Sequence, residues 1–71
     1  MKTLRELRLK KEVQERVIMN EGNLKLSFQD VYENLFNERE FLMDNDRLLQ
    51  AIDVQKDIKV IQNWMKEYNT L

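Results

Sequence analysis

Two aspartates one helical turn apart, Asp53 and Asp57, are the residues of this chain best spaced to act on an ion. On a helix their carboxylates share a face and could hold one cation together; the same spacing also describes two like charges on a solvated surface. The run Asp44-Asn45-Asp46 carries the oxygen donors that open a calcium loop. That loop's glycine is missing, and Gln55 stands where its closing bidentate glutamate belongs. Catalytic chemistry has little else to draw on. The 71 residues include no histidine, the commonest base near neutral pH, and no cysteine to serve as a thiolate. Ser27 has no obvious base and reads as a helix cap. A phosphate-cradling loop cannot be built from one glycine, Gly22. No enzymatic activity, no cofactor and no metal site are therefore expected.

The elements that would position these residues are helices. The chain has one glycine and no proline, and it is 42% apolar and 35% charged. Such a composition favours helix and lies well outside the disorder regime. The clearest break is Asn20-Glu21-Gly22-Asn23, where Gly22 can take the left-handed conformation that closes a helix. Ser27 then reads as the next N-cap, with Asp30 in the first turn complementing the helix dipole. A second weak point is Asp44–Asp46, residues poor in helix interiors and good at caps. The sequence thus predicts an all-α single domain over residues 1–71, with helices at about 2–20, 28–43 and 46–69.

Helical projection sorts their faces. On helix 2, Phe28, Val31, Tyr32, Leu35, Leu42 and Met43 share one broad sector, with Phe36 at its edge and Phe41 among the polar residues. Phe41 reads either as a cover for a neighbouring helix or as an exposed anchor. Helix 1 has two apolar sides: Leu4, Leu7 and Ile18 on one, Leu9, Val13 and Val17 on nearly the opposite one. Helix 3 changes face, from Leu48, Leu49 and Ile52 to a stripe of Val54, Ile58, Ile61, Met65 and Tyr68 with Trp64 beside it. At about 24 residues, or roughly 36 Å, helix 3 should overhang the shorter helix 2.

A core of this size rarely supplies more than about 3–5 kcal/mol, and the chain has no disulfide or zinc ligands to add to it. Together with the two-sided helices, this predicts a small bundle completed by a homodimer, or a monomer with an exposed apolar patch. Its largest apolar and aromatic group, Ile58, Ile61, Trp64, Met65 and Tyr68, is the expected protein-interaction surface, with Phe41 as a further anchor. The competing reading places that group under helix 1, inside the monomer.

Residues 1–16 carry six cations against three acids, whereas residues 27–57 carry eight acids against three cations. The opening LRELRLKK resembles the first helix of phage-repressor-type helix-turn-helix regulators, and LSFQDVYENL resembles their second. Leu26, Ser27, Val31, Leu35 and Leu42 stand at the family's cap and core positions. The resemblance implies DNA binding by a dimer, with Arg5, Arg8 and Arg39 as contacts. The departures are Tyr32 in place of a small residue and Phe36 in place of the turn glycine. In the segment matching the recognition helix, Arg39 is the only cation among four acids, which phosphates would repel. Binding to another protein is accordingly the leading expectation, in a non-enzymatic regulator or adaptor of the kind encoded by phages and mobile elements, such as an antirepressor, inhibitor or antitoxin. A helix-turn-helix transcription regulator is the alternative, and a capsid scaffold or assembly chaperone the third. No stretch has the length of a membrane span, so a cytoplasmic location with no membrane partner is expected.

Overall fold

Thr3 starts the first helix: its side-chain oxygen accepts the backbone N–H of Glu6 at 3.2 Å, satisfying a donor the first turn leaves free. In the computed structural model, which describes residues 3–70, three helices follow: α1 (Leu4–Met19), α2 (Leu24–Asp44) and α3 (Leu48–Thr70). The described residues contain no strand. The all-α, three-helix reading therefore holds; residue 2, its predicted first helical position, lies outside the described residues.

Both predicted breaks are real. Gly22 sits at φ 86°, and its N–H returns to the Val17 carbonyl at 2.8 Å, closing α1. Asp44–Asp46 does interrupt the chain. Asn45 caps α2, Asp46 takes φ 57°, and Arg47 N–H reaches back to the Leu42 carbonyl at 2.8 Å. Aspartate tolerates this left-handed conformation better than most residues, which is why a short acidic run can turn the chain without glycine.

The start of α2 corrects the sequence reading. Asn23, not Ser27, is the N-cap: its side-chain oxygen accepts the Leu26 N–H at 3.0 Å. Ser27 is buried inside the first turn, where its hydroxyl donates to the Asn23 carbonyl at 2.7 Å and accepts from the Asn20 amide at 3.2 Å. The same Asn20 amide reaches Asp30 at 3.0 Å, tying the end of α1 to α2. Both residue types cap well, and the asparagine four residues upstream adds a full turn of helix. As a result α2 has 21 residues against 23 in α3, and the predicted overhang disappears. The two run antiparallel along nearly their whole length, from Arg39 bonded to Gln55 to the Phe28 and Tyr68 rings with centroids 6.0 Å apart.

The core is assembled around α2, which packs on both other helices, whereas α1 and α3 meet over a short span. It comprises Leu9 and Val13 of α1, Phe28, Val31, Leu35 and Leu42 of α2, and Ala51, Val54, Ile58 and Ile61 of α3. Helix 1 thus buries only the Leu9–Val13 side; Leu4, Leu7 and Ile18 face outward. Helix 3 buries Val54, Ile58 and Ile61 of its second stripe and leaves Leu48, Leu49 and Ile52 exposed. The radius of gyration, 12.6 Å, exceeds the roughly 11 Å of a compact domain this long, because two long helices are covered by one short one.

Candidate interaction site

The acidic pair is neutralised from within the chain. Arg5 donates to Asp57 at 2.5 Å, to Asp53 Oδ1 at 2.6 Å and to the Asp53 carbonyl at 2.9 Å. Arg8 donates to the second oxygen of Asp57 at 2.7 Å. The Asp57 side chain is only 4% exposed, so its charge requires these two guanidinium groups. Hydrogen bonding to Asp53 and Asp57 holds Arg5 above its already high ordinary pKa, and bonding to Asp57 does the same for Arg8. Arg5, in turn, holds Asp53 below the usual carboxylate range. Glu12, beside Arg8, moves the other way because partial burial outweighs that cation. The cluster clamps the start of α1 onto the N-terminal half of α3. Two of the three arginines that the helix-turn-helix resemblance offers to DNA are thereby engaged in ion pairs.

Arg39, the third, is also engaged. Its guanidinium lies 4.8 Å from the centre of the Phe36 ring and donates to Gln55 and, at 3.2 Å, to Glu40. Its Nε is buried without an acceptor. Residues 26–42, which carry the resemblance, run through one uninterrupted helix with Phe36 and Asn37 in its interior.

α1 is clamped at its start to α3 and tied at its end to α2. Val13 and Val17 of α1, Leu24 and Phe28 of α2, and Trp64 of α3 line a groove of about 280 Å³, with Lys10 and Gln14 at its rim. Five of its seven lining residues are apolar, and its floor is continuous with the core. A concave apolar surface of this kind accepts a side chain rather than a charged ligand.

The structure divides the expected interaction group. Ile58 and Ile61 belong to the core, where a partner cannot touch them. Trp64 and Met65 are half-buried at the core's edge, Trp64 forming the groove wall. Tyr68 is partly exposed and packs on Phe28. Phe41 is 64% exposed, so it does not cover a neighbouring helix. The sequence reading missed a second feature: exposed Met43 of α2 lies beside exposed Leu48 and Ile52 of α3, and Phe36 of α2 is exposed further along, under Arg39. The signal was present in the change of face along helix 3 and in Phe36 at the edge of an already full sector.

No family model, no curated protein and no solved structure matches this chain. Among the described residues no cluster of carboxylates could hold a metal ion, and no helix is long and apolar enough to cross a membrane.

Proposed function

We propose that this chain is a small regulatory or adaptor protein that acts by binding another protein, and that the Trp64 groove receives an apolar side chain of that partner. The observation that carries this reading is the groove itself, an apolar concavity walled by the chain's only tryptophan. Tryptophan is enriched among residues that dominate binding energy, because it buries a large area at little entropic cost. The engagement of Arg5, Arg8 and Arg39 supports protein rather than DNA as the partner, since counterion release needs cations turned toward phosphates.

The test is affinity capture from an extract of the native host, read by mass spectrometry, with the native chain beside a Gln14→Trp variant. Gln14 is an exposed rim residue, so the new ring closes the groove without opening the core. One protein retained by the native chain and lost by the variant is the expected result. Capture that ignores the variant, or tight salt-sensitive binding to duplex DNA in its place, overturns the reading.

A further inference from the structure

The α2/α3 pair has two broad sides, and α1 lies over one of them. That side holds Asp53, Asp57 and Trp64 of α3, each in contact with α1 or lining the groove beside it. On the opposite side, Tyr32, Phe36 and Met43 project from α2 at helical spacing, Met43 beside Leu48 and Ile52 of α3 and the two rings further along the helix. Tyr32 stacks on Phe36 with ring centroids 6.3 Å apart, and Arg39 bridges to Gln55 across the middle. Met43, Leu48, Ala51 and Ile52 shape a shallow apolar depression of about 320 Å³ there. The flanks of this side carry opposite charge. By helical projection Glu33, Glu40 and Asp44 share the flank of α2 away from the core, while Lys59 and Lys66 share the sector of Leu48 and Ile52 on α3 with Lys56 at its outer rim, all six exposed.

We propose that this side is the interface of a homodimer in which α2 of each copy lies over α3 of the other. The charge pattern selects both the occupant and the arrangement. A face with acids along one edge and bases along the other is complementary to itself when turned about a two-fold axis parallel to the helices. Turned about an axis across the helices, it would place acids on acids. The pairing of Arg39 with Gln55, and of Phe28 with Tyr68, sets the levels along the pair. At those levels Glu40 meets Lys56 and Lys59 of the second copy, and Glu33 meets Lys59 and Lys66. Met43 of one copy meets Leu48 and Ile52 of the other, so the apolar ends coincide. The result is a four-helix layer with α1 on each outer surface, the common solution for helices with a second apolar side. The other uncovered stripe, Leu4, Leu7 and Ile18, is interrupted by Lys11 on the same face of α1 and makes a poorer seam. In this dimer both Trp64 grooves face outward, so the proposal stands whether or not they bind a partner.

Sedimentation velocity of the full chain at roughly 100 µM, with circular dichroism, tests the interface; a dimer of micromolar affinity is fully formed there. The native chain should be a dimer. Ile52→Glu, at a position more than half exposed in the single chain, should keep the helical spectrum and weaken dimerisation about 30-fold or more. Leu7→Glu should leave it unchanged. Glu33→Lys with Glu40→Lys, and separately Lys59→Glu with Lys66→Glu, should each weaken self-association, and the two variants mixed should associate with each other. A monomeric native chain, a dimer indifferent to Ile52→Glu, one broken by Leu7→Glu, or charge variants that do not pair on mixing would each overturn the proposal.

Discussion

The two sides of the α2/α3 pair are made from similar residues and have opposite fates. Under α1, Leu9 and Val13 close over Val31, Leu35, Ile58 and Ile61, and a buried aspartate is satisfied by two arginines. On the far side, Phe36, Met43, Leu48 and Ile52 remain exposed. Apolar content does not distinguish them. The difference lies in what a 16-residue helix can reach once its start is clamped and its end is tied by a short turn. A short third helix can cover one side of a long hairpin only.

Isoleucine placed on both sides gives the sharpest contrast. Ile61→Ala removes a side chain with no exposure, and a loss of about 4 kcal/mol is expected, enough to unfold so small a domain. Ile52→Ala, at 55% exposed, should cost under about 0.5 kcal/mol in the isolated chain. Urea unfolding followed by circular dichroism at low protein concentration checks both. Equal losses would mean that the far side is covered within one chain.

The clamp comes next. Replacing Arg5 and Arg8 together with alanine strands the Asp57 carboxylate, whose side chain is only 4% exposed, and a loss of about 3 kcal/mol is expected in the same assay. Asp53→Asn, whose carboxylate faces solvent, should change much less. Trp64→Ala lies between core and surface. Because the ring is half-buried, about 2 kcal/mol of stability should go with it, below the full core value, and partner capture should be lost as well. A variant that stays as stable and binds as tightly as the native chain would remove Trp64 from both roles.

Smaller effects follow from the turns and from pH. At Gly22 an added methyl meets no neighbour within 4 Å, so Gly22→Ala reports the positive φ alone, about 1 kcal/mol. Acidification acts on two carboxyls with opposite sign. Asp53 titrates lower in the folded chain than in the unfolded one, so its contribution is present above the unfolded carboxylate range and is lost as pH falls through its depressed folded value. Glu12 titrates higher, so its ionised form weakens the fold as pH rises through its raised value. Glu12→Gln should therefore raise the neutral-pH melting temperature slightly, and the gain should vanish on acidification below the carboxylate range. A variant that melts lower at neutral pH would show the ion pair with Arg8 outweighing burial.

The helices, the two breaks that separate them and the list of apolar faces were legible in the residues themselves, because each depends on contacts within a few positions: a glycine at positive φ, an Asx cap, a stripe repeating every three to four residues. The start of α2 was misread because Asn23 and Ser27 are locally equivalent caps, and the choice between them depended on where Ser27 and Asn20 could find partners. Which of the two apolar sides of α1 and of α3 became core was a tertiary decision, since periodicity marks a face without naming its partner. The same holds for the arginines and aspartates. Arg5 and Asp57 stand 52 positions apart, and only the packing of α1 along α3 brings into one ion pair charges that, along the chain, read as a basic edge and an acidic one.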